Sequence, residues 1–348
     1  MNKTRIGING FGRVGRCVAK ILMNRPDLEL VAINDLDTDY SNLSYLFNYD
    51  STYGRSDARM ETDGKACHLN DKTLAMSSVA NIDGVAWEKS RVDVVIDSSG
   101  VTENVHLAHR LTDTGRVKKV LVTHSPPEDV DHVIIMGVNE STYRSNEHHV
   151  VSSSICDANA IAPVLVELDK AFGIRHCSIT TLHPWLSYQN LVDAPLRSVS
   201  KPGHFWKDYS LGRASVGALI PKETTAAKAI VKVCSQFEGK LEGFSYRIPT
   251  NVVTSADLTF VTEKPTTRAQ LRHVLEDFAK ASPFVSLNRE SLISVDYERT
   301  EHSAIIDDQW TRVLGDHMGK IILWYDNEWG YSSRVADIAS HLMRPGKV

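Results

Sequence analysis

The chain has 348 residues, 42% of them hydrophobic, a formal net charge of −4 and five cysteines. That length suits two domains, each with a buried core, and so mild a charge offers no footing for nucleic acid or an anionic membrane surface. No apolar run approaches the roughly 20 residues that span a bilayer, and the first strand begins by residue 5, which leaves no room for a signal peptide.

In chain order, Arg5–Asn9 reads as a short apolar strand, Val14–Met23 as an amphipathic helix and Leu28–Asn34 as a second strand. Between the first two lie Gly10, Gly12 and Gly15, and Asp35 follows 20 positions beyond Gly15. A lone GxGxxG is weak evidence, but here it stands in its strand–helix–strand frame. Gly10 permits the tight turn, Gly12 lets the backbone approach a pyrophosphate, and Gly15 lets the helix pack close to the strand. The helix N-terminus then offers free amides and a positive dipole to the diphosphate, so Phe11, Arg13 and Val14 between the glycines belong to the expected cofactor turn. Asp35 accepts from the ribose hydroxyls and its charge repels a 2′-phosphate, which favours NAD over NADP.

The alternation continues with strands at Val92–Asp97, Lys119–Thr123 and His132–Gly137 and a helix over Val101–Leu111. This rhythm predicts an α/β, Rossmann-type domain with a parallel sheet. The run Asp97-Ser98-Ser99-Gly100 closes one strand with small residues, where a doubly wound sheet places its ligand crevice, so Ser98 and Gly100 join the cofactor candidates. After Val150 a serine run leads to Cys156, and a helical pattern covers Asp157–Phe172. Strand-like runs follow at Arg175–Leu182, Phe244–Pro249, Asp257–Val261 and Ile321–Tyr325, which predicts an α+β second domain. Residues 184–221 form a loop long enough to expect function of it, and Ser332–Leu342 reads as a packing helix.

Five cysteines without metal-ligand spacing predict reduced thiols in a cytoplasm and no metal site. One of them stands apart: Cys156 sits between a strand end and a helix start, where amides and the dipole lower a thiol pKa. His183 ends an apolar strand 27 residues later. Taken singly, Cys156 reads as a small buried residue and His183 as a satisfied loop histidine. Downstream of a dinucleotide fold they read as nucleophile and base, attacking an aldehyde and passing hydride to a nicotinamide with a thioester left behind.

Six separated stretches carry a resemblance: Ile8-Asn-Gly-Phe-Gly-Arg-Val-Gly-Arg16, Ile33-Asn-Asp-Leu36, Met136-Gly-Val-Asn139, Ala226-Ala-Lys228, Tyr246-Arg-Ile-Pro-Thr250 and Tyr325-Asp-Asn-Glu-Trp-Gly-Tyr331. Together they resemble the glyceraldehyde-3-phosphate dehydrogenase family, which includes erythrose-4-phosphate dehydrogenase, essentially from end to end. The resemblance implies an NAD-binding domain over 1–155, a catalytic domain over 156–325, and a C-terminal helix over 326–348 that returns to the first domain. It also implies a phosphorylated aldehyde substrate and a homotetramer. Cys156 matches the family nucleophile, His183 the general base, Asn327 the amide that orients the nicotinamide carboxamide, and Tyr331 a neighbouring cofactor contact. Arg247 matches an arginine that binds substrate phosphate, Arg213 one lining the anion sites, and Thr224 a residue near the second anion site.

The chain also departs from the family. Where Ser-Asn-Ala-Ser-Cys-Thr-Thr-Asn-Cys is usual, it has Ser152-Ser-Ser-Ile-Cys-Asp-Ala-Asn-Ala160, so Ile155 and Asp157 replace two hydroxyls that help bind the attacking phosphate. A carboxylate there repels phosphate and raises the thiol pKa, unless Asp157 simply caps the helix. After the histidine, Leu186 and Tyr188 replace two threonines of the substrate-phosphate site, and Thr225 stands where a glycine is usual. Three readings follow: a phosphorylating dehydrogenase with a rebuilt acceptor site, a paralogue that uses water or an altered aldehyde, and a non-catalytic NAD-binding module.

Overall fold

The computed structural model describes residues 3–64, 66–124 and 129–344. The outer ends of the expected first and last segments, residues 1–2 and 345–348, lie outside them. The alternating half forms a nine-stranded sheet in the order His132–Val133, Val150–Ser152, Lys119–Val122, Val94–Asp97, Thr4–Asn9, Leu28–Asn34, Lys72–Ser77, Cys67–Leu69, Met60–Thr62. The first seven strands run parallel, and the last two fold back antiparallel. From Thr4–Asn9 the chain first builds to one side, through Leu28–Asn34, and later returns to the other, through Val94–Asp97. That change of direction opens a crevice at the carboxyl ends of the central strands.

Helix α1 (Arg13–Leu22) crosses over between the first two strands and shares the core of one sheet face with α2 (Tyr40–Asn48), while α3 (Glu103–Asp113) packs on the opposite face. The glycines of the turn act as the spacing requires. Gly10 has φ +88, and a Cβ on Gly15 would lie 2.2 Å from the Gly10 carbonyl oxygen, so only glycine lets α1 approach the strand this closely.

The second half forms a seven-stranded sheet in the order Ile220–Glu223, Leu241–Ile248, Ile174–Pro184, Thr254–Thr262, Met318–Tyr325, Ala304–Leu314, Val285–Asn288. Helices α4 (Cys156–Phe172), α5 (Ala226–Val233) and α6 (Arg268–Ala281) supply apolar side chains to its core. The last helix, α7 (Trp329–Leu342), packs Val335, Ile338 and Leu342 into the core of the first sheet, beside Ile6 and Ile8. Each is fully buried, which contributes about 1.5–3 kcal/mol apiece.

The expected strand over His132–Gly137 stops after Val133. Asn139 explains the loss: its side chain donates to the Val133 carbonyl and accepts from the Ile135 amide, each at 2.8 Å, replacing the ladder with a local turn. The loop after residue 184 is largely irregular, as its composition predicts, until Ile220–Glu223 pairs with Leu241–Ile248.

Candidate active site

Cys156 is the first residue of α4, and its position depends on the turn before it. Ser154 adopts φ +58, a left-handed conformation that costs of order 1–3 kcal/mol in a residue with a side chain. Two anchors hold it. Asn159, one turn into α4, donates from Nδ2 to the carbonyls of Ser153 and Ile155 at 2.8 and 2.9 Å. The Tyr331 hydroxyl of α7 lies 2.6 and 3.0 Å from the carbonyl oxygens of Thr123 and Ser154, which share its one proton, and 2.8 Å from Ser153 Oγ.

His183 stands next to last in its strand, and its Nε2 is 3.7 Å from Cys156 Sγ. The other ring nitrogen, Nδ1, lies 2.8 Å from the Pro184 carbonyl, which can only accept. Nδ1 therefore carries the proton and Nε2 turns its lone pair towards the thiol. Burial, then the Arg247 guanidinium, pushes the imidazole down to about 4, so His183 is neutral and able to take a proton at physiological pH.

The thiol follows the expectation drawn from Asp157 and not the lowered pKa expected from the helix start. Burial, then the Asp157 carboxylate, pushes Cys156 well above the usual thiol range, and these outweigh the helix terminus. Asp157 Oδ1 lies 3.6 Å from Sγ and accepts a 2.7 Å hydrogen bond from the Tyr325 hydroxyl. Asp157 makes no capping bond; the N-cap of α4 is Ile155, with no side-chain cap. Since the carboxylate opposes the thiolate, Asp157→Asn is expected to speed alkylation of Cys156 by iodoacetamide at neutral pH about tenfold, because losing the charge lowers the thiol pKa and exposes more thiolate. An unchanged rate in a pH series of the two proteins would remove Asp157 from control of the thiol.

The cofactor candidates line the crevice. A cavity of about 230 Å³ is bounded by Gly10, Gly12, Asp35, Ser98, Val101 and Asn104. A Cβ on Gly12 would meet nothing within 4 Å, so the turn leaves room for a phosphate against the backbone. Asp35 accepts from the amides of Phe11 and Asp37 at 2.6 and 2.9 Å, which ties the turn to the second strand. Ser98 Oγ donates to the Gly10 carbonyl at 2.6 Å, and Gly100 has φ +72. The Phe11 ring is buried against Phe47 and Val14 packs on the same core, which leaves their backbone to face a ligand. Asn327 presents a buried Oδ1 with no partner, an acceptor suited to a carboxamide N–H. These features fit a dinucleotide.

Three candidates are placed differently from the rest. The Arg13 guanidinium is bound by Glu328 and Asp50, so only its backbone amide, in the first turn of α1, is available to a phosphate. Arg213 is 73% exposed and ion-paired with Asp193 at 3.0 Å. Thr224 Oγ1 accepts from the Ala226 amide at 3.1 Å at the start of α5. Arg247, by contrast, is buried beside the catalytic pair, and its Nε has no partner.

Residues 4–105 match the family profile for the NAD binding domain of glyceraldehyde 3-phosphate dehydrogenase, and residues 155–327 that for its C-terminal domain. The chain belongs to the glyceraldehyde-3-phosphate dehydrogenase family. It is 36% identical to glyceraldehyde-3-phosphate dehydrogenase 1 of Bacillus subtilis and to the glyceraldehyde-3-phosphate dehydrogenase of Geobacillus stearothermophilus, covering 98% of this chain and 99% of each relative. Glyceraldehyde-3-phosphate dehydrogenase 3 of Saccharomyces cerevisiae is equally similar, at 36% over the same shares. Tyr325, which donates to Asp157, and Lys222, whose charge bears on His183, are the neighbours of the catalytic pair that sequence reasoning missed. Tyr325 lay inside a quoted motif but carried no partner until Asp157 was placed beside it. Lys222 gave no signal, because a lysine near a strand end is usually solvated.

Proposed function

We propose that this chain oxidises a phosphorylated aldehyde with NAD through a thioester on Cys156. The observation that carries the reading is the contact between Cys156 Sγ and His183 Nε2, in a chain whose first domain matches an NAD-binding profile. Sγ bonds to the aldehyde carbon while Nε2 takes the thiol proton, and the proton passes on to the new alkoxide to give a thiohemiacetal. Nε2 next draws the hydroxyl proton as hydride departs, and the thioester remains on Cys156. NAD, when bound, supplies the hydride acceptor. Asn327 and the Gly10–Gly15 turn hold and orient it, and Arg247 attracts the substrate's anionic end.

The test is NADH formation from glyceraldehyde 3-phosphate, with other aldehydes alongside, in the presence and absence of inorganic phosphate. No oxidation of any phosphorylated aldehyde sinks the reading. Asp157 favours a second reading of the last step, in which water takes the acyl group, because a carboxylate beside Sγ repels an attacking phosphate. Full turnover without phosphate supports water, whereas a saturable phosphate requirement supports acyl phosphate formation.

Asp35→Asn is expected to weaken NAD about tenfold and narrow the preference over NADP, because it removes a repelling charge and a charged acceptor while keeping the oxygen that serves the Phe11 amide. Binding of both cofactors by fluorescence titration checks this, and a parent protein that prefers NADP overturns it.

For assembly, the outer face of the catalytic sheet carries an apolar groove of about 610 Å³ lined by Leu182, Ile248, Trp310, Ile322 and Trp324, an exposed patch that supports a homotetramer. Light scattering measures that state. Among the described residues no helix is long and apolar enough to cross a membrane and all five cysteines are free, which supports a reducing cytoplasm.

A further inference from the structure

Two cations meet behind the catalytic pair with no acid bonded to either. Strand register shows how. Arg247 pairs with His183 on one side and with Ile220 on the other, and Lys222 pairs with Ser245. Residues in register, or two apart on a strand, share a face, so Lys222, Ser245, Arg247 and His183 project from the same side of the sheet. Arg247 is only 8% exposed, and its Nε is buried without a partner. Among the described residues neither Arg247 nor Lys222 forms a hydrogen bond or an ion pair from its side chain.

Such an arrangement is unfavourable as it stands. Burial, and then Arg247, disfavour the charged form of Lys222, while Asp157, Asp208 and Glu223 favour it from a distance. Lys222 in turn adds to the field that keeps His183 neutral. Unpaired charges are removed from water in folded proteins only at considerable cost, unless a counter-charge arrives. An anion that bridges both side chains would supply it.

We infer that Lys222 and Arg247 together seat the phosphoryl group of the substrate. This rests on the proposed aldehyde oxidation. The arginine fork takes two phosphoryl oxygens and the lysine, a compact point charge, takes the third; a carboxylate has only two oxygens and would be satisfied by Arg247 alone. Lys222 thereby replaces donors that the loop after His183 does not offer. Leu186 has no polar atom, and Tyr188 is stacked on Trp206 with ring centroids 5.9 Å apart, within the loop's own cluster.

The experiment compares the parent protein with Lys222→Met, and with Lys222→Gln as a polar replacement should the methionine variant fold poorly. In the first arm, kcat/KM for glyceraldehyde 3-phosphate is expected to fall about 30- to 100-fold, the low end of the loss when one partner of a buried charge contact is removed, and at least about tenfold more than kcat/KM for unphosphorylated glyceraldehyde. Equal losses on the two aldehydes, or no loss, overturn the assignment. In the second arm no reaction takes place. Glycerol 3-phosphate is expected to raise the melting temperature of the parent and not that of the variant. The variant without ligand should melt at or above the parent, since a repulsion has been relieved, whereas a purely structural lysine would lower it. A melting response to glycerol 3-phosphate that survives in both variants overturns the proposal. So does a response to inorganic phosphate without one to glycerol 3-phosphate, which would make the seat one for free phosphate. If the parent oxidises neither aldehyde, the proposed function fails, and the second arm still decides the role of Lys222.

Discussion

Cys156→Ser is expected to abolish NADH formation from aldehyde, a loss of at least about 10⁴-fold, while NAD affinity stays within a few-fold. The thiol is already hard to ionise, since burial and Asp157 both push its pKa up. It reacts because sulfur is intrinsically nucleophilic and His183 Nε2 lies 3.7 Å away to take its proton. A serine hydroxyl in the same surroundings is far less acidic and gives an ester rather than a thioester. The cofactor turn is built on another sheet, from Gly10 to Gly15, and does not depend on the sulfur. Stopped-flow NADH absorbance and NAD titration measure the two effects separately. A serine variant that keeps most of its activity would show that the nucleophile lies elsewhere.

His183→Asn should lower kcat by ~10²–10⁴-fold, the usual worth of a positioned general base. Asparagine can still donate to the Pro184 carbonyl, as Nδ1 does now, but it cannot receive a proton from Sγ. The pH profile distinguishes loss of the base from loss of shape. With the imidazole pushed down to about 4, the neutral form persists through the mildly acidic range, so kcat/KM of the parent keeps its base until the pH nears that value. The acid limb should disappear in the variant. The same shift bears on stability. An unfolded histidine takes up a proton near pH 6.5, whereas the folded one resists to about 4, so stability is present above 6.5 and is lost as the pH falls towards 4. Unchanged turnover in the asparagine variant would remove His183 from the chemistry.

The parts of the fold readable in the sequence are those governed by local rules. Gly15 reads correctly because helix and strand can approach only where no Cβ intervenes, and the observed 2.2 Å to the Gly10 carbonyl oxygen is that constraint in numerical form. Asp97 and Ser98 read correctly because the C-terminal edge of a parallel sheet is where polar strand ends gather. The Ala304–Leu314 strand is not legible, since Asp307, Asp308 and Gln309 interrupt its apolar pattern. Only tertiary partners permit them: Trp324 Nε1 donates to Asp307, and Arg272 of α6 binds Asp308. His132–Gly137 fails for the converse reason, a good strand composition overruled by one asparagine side chain.

The site divides in the same way. Cys156 and His183 stand out because of their chemistry and their place behind a dinucleotide fold, but their contact is a tertiary fact. Two sequence cues for the thiol pull in opposite directions, the helix start downward and Asp157 upward, and the desolvation that decides for the upward one is not visible in sequence. Lys222 joins the site only through a strand register that no local pattern encodes.

The hydroxyl of Tyr331 that braces the backbone of Thr123 and Ser154 belongs to the final helix of the chain. A ribosome therefore delivers the nucleophile well before the brace that helps hold its turn, and the cysteine waits through much of synthesis without its finished surroundings. Once α7 is docked on the first domain, Tyr331 joins Asn159 in holding the left-handed turn of Ser154 that precedes the sulfur facing His183. A product cut before α7 thus carries both catalytic residues and lacks the tyrosine hydroxyl that helps hold the turn before the cysteine, which ties the shape of the site to a helix far along the chain from either of them.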